Sequence, residues 1–273
     1  MKKNNKTILI LLAALILTGV SCSTAPKRPT EIVVVRRQAE QELDLGNKAT
    51  GQGEYDNALL LLTEAKRKAV SVDDVSLIIR VSLSCGNALL SMGRTSEAFA
   101  EWDTAIVEAQ RLGNAELLSV SRIFRARGSL LTGRDTARSV LDLVTREQAN
   151  IKNRYYLAFS WQVRGLAIRA IESYTEAENA IRRSLEINEK DRYLESASYD
   201  WYIIASIRSL AGNHNGAIQA LEASMAIDRR IENSWGLAAS WKAMGDIYAK
   251  MGRANEATAA YARSNAIQAA GSR

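Results

Sequence analysis

The chain has 273 residues, 47% of them apolar and 24% charged, with a formal net charge of +6. That is ample for a packed core, and the basicity is too mild and too dispersed for a nucleic-acid surface. A single histidine and two cysteines leave no ligand set for a transition metal. There is no glycine-rich phosphate loop, H-E-x-x-H or C-x-x-C, so the sequence argues against an enzyme and calls for no cofactor.

In chain order, Met1 to Lys6 is basic and Thr7 to Val20 is a largely apolar run of 14 residues. A membrane-spanning helix needs about 20. The pattern fits a secretory signal instead. The run ends at Gly19-Val20-Ser21-Cys22 and continues as Ser23-Thr24. This resembles the bacterial lipoprotein signal, which implies that Cys22 takes a diacylglycerol, becomes the first residue, and is palmitoylated. Neither Ser23 nor Thr24 is acidic, so the resemblance implies retention at the outer membrane, facing the periplasm. Residues 1–21 are then the signal peptide and 22–30 a lipidated tether, kept extended by Pro26 and Pro29. Lys27 and Arg28 stand where anionic headgroups would lie. Thr30 and Glu31 suit a helix start. The β-branched run Ile32 to Val35 leaves a short extended segment open, but a helix to about Thr50 is the reading preferred.

From there to the end, 31–273, the chain repeats itself. Small residues recur at Gly46, Gly86, Ala126, Gly165, Ala205 and Gly245, in steps of 40, 40, 39, 40 and 40. An alanine follows 12 residues later at Ala58, Ala98, Ala177, Ala217 and Ala257, and one residue early at Ala137. Bulky residues come next at Leu62, Trp102, Leu141, Ile181, Leu221 and Tyr261. Small residues let two helix backbones approach, and bulky ones at helical spacing fill the groove beside them. Glycines 53, 93, 133, 212 and 252 provide a left-handed residue at the turn inside each pair. Glu172 takes that place in the fourth copy, where a strained or altered turn is expected. First helices are expected near 31–51, 74–92, 115–131, 153–171, 192–211 and 234–251. Second helices are expected near 55–71, 95–112, 134–149, 174–189, 214–231 and 254–269.

A fixed period of this length is the mark of a solenoid. With Trp161, Trp201 and Trp241 each four residues before the small landmark, it resembles the tetratricopeptide-repeat (TPR) family over roughly residues 39 to 269. Its usual period is about 34, so the helices here should be longer. The fold class implied is all-α: a right-handed α-solenoid of about six antiparallel helix pairs. The tryptophans should wedge between consecutive pairs. Cys85, just before Gly86, should be a small buried apolar residue, and His214, at a turn, a surface residue.

In TPR proteins the first helices line a concave face. The resemblance puts Asn47, Arg80, Asn87, Arg127, Phe159, Arg169, Tyr202 and Lys242 there as candidate partner-binding residues. Leu43 and Leu83 stand where a carboxylate clamp would need lysine, which argues against binding a chaperone tail. The implied function is a membrane-anchored adaptor or scaffold for envelope proteins, with no nucleic-acid partner. The alternatives are a small-ligand-binding accessory of a transporter and a self-assembling scaffold.

Overall fold

The computed structural model describes residues 31–271. Among them are twelve α-helices, one short 3-10 helix and no strand. The helices are α1 Glu31–Gly51, α2 Tyr55–Ser71, α3 Val75–Ser91, α4 Thr95–Arg111, α5 Ala115–Thr132, α6 Ala137–Glu147, α7 Arg154–Ala170, α8 Tyr174–Lys190, α9 Leu194–Leu210, α10 His214–Arg230, α11 Ser234–Lys250 and α12 Ala254–Gly271. They form six antiparallel pairs stacked in an all-α solenoid. Ile32 to Val35 are helical rather than extended. The packed body begins at Val35. Among the described residues no helix is long and apolar enough to cross a membrane. The expected signal peptide, Cys22 and the tether lie outside the described residues.

The left-handed turn is more widespread than the glycine pattern predicts. Turns between pairs use it as well as turns within them. Its residues are Gly53, Asp73, Gly93, Gly113 and Gly133, then Glu172, Arg192, Gly212, Glu232 and Gly252, each series stepping by 20. At every one, two backbone N–H groups fold back on the helix just ended. Gly93 N donates to Leu90 O and Arg94 N to Leu89 O, and the other nine follow the same arrangement. Except after Gly133, the residue after the left-handed one takes the cap position of the next helix. Asp74, Asn114, Asn213 and Asn233 each accept the N–H three residues on. Glu172 therefore does not alter its turn: it adopts φ +63° like its glycine counterparts, with a side chain that makes this conformation costly.

The packing code follows the sequence landmarks. A Cβ built on Gly46 would lie 2.7 Å from Leu62, one on Gly165 2.5 Å from Ile181, and one on Gly245 2.6 Å from Tyr261. Trp102 is fully buried and is gripped from both sides. A Cβ on Gly86 would lie 2.5 Å from its Cε2, and one on Gly128 in the next pair 2.6 Å from its Cη2. Its Nε1 donates to Leu83 O at 3.2 Å. In the third copy Ala126 is buried, but the close approach is made by Gly128, two residues on. Trp161, Trp201 and Trp241 pack half-buried against the core, and Trp201 Nε1 donates to Glu189 on the preceding pair.

The third pair is the irregular one. Thr136 caps α6, so the helix starts at Ala137 rather than near 134. It ends at Glu147 and passes into the 3-10 turn Gln148–Asn150. No left-handed turn closes this joint. The Glu116 carboxylate takes its place, accepting from Lys152 N at 2.7 Å and Asn153 N at 2.6 Å. Ser119 and Arg122 bind Glu147, and Gln148 reaches Ser160 across the joint.

Cys85 is buried, and desolvation pushes its thiol up to about 12. His214 departs from expectation: it is half-buried, and its Nδ1 is enclosed without a hydrogen-bond partner.

Candidate functional site

The first helices of successive pairs touch one another directly: α3 meets α5, α5 meets α7, and α9 meets α11. They form an inner layer, and the second helices form an outer one. The inner layer curls far enough that its two halves face each other across a cleft. One wall is the carboxy-terminal ends of α1, α3 and α5, with Asn47, Thr50, Asn87, Ser91 and Arg127. The other is the amino-terminal ends of α7, α9 and α11, with Tyr155, Glu195 and Trp235 one repeat apart in sequence. Two lobes of about 260 and 450 Å3 share Arg127, Glu195 and Tyr199. The curl ends in contact at the first turn of the chain. Tyr55 meets Trp235 edge to face, ring centroids 6.2 Å apart, and Gly53 lies so near Trp235 that a Cβ there would come within 2.8 Å.

Three properties set this cleft apart. Among the described residues, the aromatic side chains more than a third exposed are Tyr155 (41%), Tyr199 (39%) and Trp235 (45%), and all three line it. Aromatic surface left in water has a substantial burial energy still to gain.

Buried polar atoms without partners collect there too. Asn87 Oδ1, Arg127 Nε and Asn188 Oδ1 lie on the smaller lobe and Asp228 Oδ2 on the larger. Such atoms are uncommon, because each forfeits its desolvation energy. Asn188 owes its state to a neighbour. The fully buried Asp200 accepts from Asn188 Nδ2 at 2.7 Å, Gln162 Nε2 at 2.9 Å and Ser184 Oγ at 2.8 Å. Asp200 thus fixes two wall amides from behind and leaves the enclosed Asn188 oxygen without a partner. Burial pushes the Asp200 carboxyl up to about 6, against the pull of these donors.

The cleft also holds opposite charges that do not pair. Among the described residues no carboxylate lies within ion-pair distance of Arg127. Glu195 is reached by water yet ringed by protein; that desolvation raises its carboxyl, Asp228 adds to the rise, and Lys48 opposes it. Burial likewise raises Asp228. Tyr155 feels both signs. Desolvation lifts its hydroxyl to about 12, Glu195 adds to the shift and Arg127 opposes it.

Of the residues expected on a concave face, Asn47, Asn87, Arg127 and Phe159 line the cleft together. Tyr202 lines its larger lobe and a shallower recess beside Asp246 and Lys250. The other three are engaged elsewhere. Arg80 lies 3.8 Å from Glu40, Arg169 donates to Ser206 at 3.1 Å, and Lys242 pairs with Asp246 at 3.3 Å. Sequence reasoning missed Tyr55, Tyr155, Glu195, Tyr199, Asp228 and Trp235. A signal for three of them was present: Tyr155, Glu195 and Trp235 form a column at 40-residue spacing, ten residues before the small landmark. Among the described residues no group of three or more His, Cys, Asp or Glu side chains is placed to hold a metal ion.

No protein-family model matches the chain, and no curated protein matches it in sequence. Solved structures do share its fold. A Rap protein complexed with Competence and Sporulation Factor aligns over 86% of this chain and 76% of its own, with TM-score 0.63 and 11% identity. The apo form of RapI aligns over 96% and 90%, with TM-score 0.59 and 10% identity. BtubC (BKLC) from P. vanneervenii aligns over 85% and 91%, with TM-score 0.57 and 15% identity. At such identities the likeness is one of fold, a helical-repeat architecture.

Proposed function

We propose that the chain is a lipid-anchored interaction module of the bacterial cell envelope, and that its inner cleft is where it receives a partner. The observation that carries the reading is the collection of exposed aromatic rings and unpartnered buried polar atoms on one concave surface. Each gains energy when an occupant displaces water and completes its hydrogen bonds. The likeness in fold to a Rap protein complexed with Competence and Sporulation Factor supports a solenoid of this kind as a receptor. The anchor rests on the run from Met1 to Cys22, and the outer-membrane assignment on Ser23 and Thr24. The chain acts by binding, without catalysis.

Two experiments test this. Palmitate labelling of the full chain should be lost in Cys22→Ser, and the variant should leave the membrane fraction; labelling that persists contradicts the anchor. Affinity purification from cross-linked envelopes should recover a partner with the native chain and with Arg169→Glu, and lose it with Arg127→Glu. A partner kept by Arg127→Glu contradicts the cleft as its site.

One observation favours a second reading, a small-ligand-binding accessory. The Tyr55–Trp235 contact bounds the larger lobe, and a space of about 450 Å3 suits a small ligand better than a helix.

A further inference from the structure

We propose that the cleft binds a small zwitterion, one molecule carrying both an ammonium and a carboxylate, with the carboxylate on Arg127 and the ammonium between Glu195 and Asp228. This rests on the ligand-binding reading above.

The first ground is charge. Arg127 projects into both lobes from the end of α5, its Nε enclosed and unpartnered. A guanidinium in that state is a bidentate site for a carboxylate. Glu195 also borders both lobes, and Asp228 borders the larger. Asp228 is 1% exposed; its Oδ1 accepts from Asn233 Nδ2 at 3.0 Å and its Oδ2 completes no hydrogen bond, although the Ser198 and Ser224 hydroxyls are near enough to counter the rise of its carboxyl. Oδ2 packs against Gly236, where a Cβ would come within 2.5 Å, so a bare glycine in the first turn of α11 makes room for it. With Lys48 beside Glu195, two acids and two bases face or flank the space. A ligand of one charge would leave the opposite sign desolvated. A ligand carrying both signs satisfies each end without net charge.

The second ground is what lies between the charges. Tyr155 and Tyr199 offer aromatic surface to an apolar side chain or to the flank of an ammonium. Asn188 is 1% exposed with Oδ1 unpartnered, and Asn87 Oδ1 is enclosed in the same lobe. Both are acceptors for N–H groups. The chemistry is shared by free α-amino acids and by short peptides with free termini; peptide N–H groups would use both asparagines.

The test is a thermal-shift and calorimetric titration of the full chain in detergent. The probes are an equimolar mixture of the twenty common amino acids, a mixture of tripeptides with free termini, and the same tripeptides acetylated or amidated. A ligand for the native state raises its unfolding midpoint. Saturable binding of either unblocked mixture is expected, weakened at least about tenfold by blocking either end, as loss of a charge-assisted pair requires. The source is whichever unblocked mixture binds. Arg127→Gln and Glu195→Gln should each lose binding at least about tenfold with helical circular dichroism intact. Arg127→Lys should retain part of it, and Arg253→Gln, paired with Glu256 at the far end, all of it. No saturable binding of either unblocked mixture, or equal binding of the blocked tripeptides, overturns the proposal. So does undiminished binding by Arg127→Gln. Because the titration uses no envelope partner, loss of partner capture would leave it standing, and its failure would leave the anchor and partner capture untouched.

Discussion

Gly86→Ala adds one carbon at the tightest point of the solenoid. That carbon would sit 2.5 Å from Trp102 Cε2 and 2.7 Å from Cδ1, where unstrained carbons keep about 3.5 to 4.0 Å. Trp102 has no room to retreat, since Gly128 holds its other edge. Overpacking of this kind costs about 1–3 kcal/mol. Moving the ring also strains its hydrogen bond to Leu83 O, worth about 1 kcal/mol. Alanine returns about 1 kcal/mol of helix propensity. The net expectation is a destabilisation of about 2 kcal/mol. In a Trp102→Leu background the conflict is eased, since the smaller side chain can shift as it does in the fifth pair, where Ala205 and Leu221 hold the same two places. There Gly86→Ala should be neutral or stabilise by about 1 kcal/mol. The coupling is thus about 3 kcal/mol, read by urea denaturation followed by circular dichroism in a four-member cycle. Equal costs of Gly86→Ala in the two backgrounds would refute the account of the repeat as glycine packed on a bulky partner.

Further outcomes follow from single residues. Arg192 holds φ +62° with no side-chain hydrogen bond or ion pair, so Arg192→Gly should raise the melting temperature by about 2 °C. Gly212→Ala should lower it, because φ there is +82°. Asp200 has its pKa raised from 3.8 to about 6, so the folded state holds this proton more tightly than the unfolded one. Its contribution is most favourable below about pH 4 and is lost as pH rises to about 6. Relative to the native chain, Asp200→Asn should therefore gain up to about 3 kcal/mol between those limits and stay level above them, measured by denaturation across pH. Glu116→Ala removes the acceptor of two backbone N–H groups and should cost about 2 kcal/mol, with faster hydrogen exchange at Lys152 and Asn153.

The solenoid was legible because its constraint is periodic. One close approach per pair demands a small residue and a bulky one at fixed spacing, and Gly46–Leu62, Gly165–Ile181 and Gly245–Tyr261 all meet as that spacing requires. The inter-pair turns at Asp73, Arg192 and Glu232 were not seen to be left-handed, because the residues are not glycine and the conformation is imposed by helices on both sides. The third pair resisted for a similar reason. Glu116 repairs its last joint from 36 residues away in sequence, and no local pattern announces such a bond.

The cleft was legible by half. Asn47, Asn87 and Arg127 follow from the repeat register, since they sit one residue after the small landmark. Glu195, Asp228 and Trp235 face them only because the superhelix curls until its first and last pairs meet. That curvature is a sum of small rotations along the stack, and a pattern within one repeat does not carry it. Arg80 and Arg169 share the inner helices but find partners on a neighbouring pair, and Lys242 finds one on its own helix, so register alone overstates the site.

The central claim is that occupancy belongs to the inner cleft. The most direct measurement places a photo-crosslinking phenylalanine analogue at Tyr199, at Trp235 or at Leu60, an exposed residue on an outer helix. The full chain is then irradiated in living cells, and the mass of the recovered protein reports any adduct, small molecule or protein. The account predicts adducts from Tyr199 and Trp235 that disappear in Arg127→Gln, and none from Leu60. Adducts from Leu60 alone, or cleft adducts indifferent to Arg127, would contradict it.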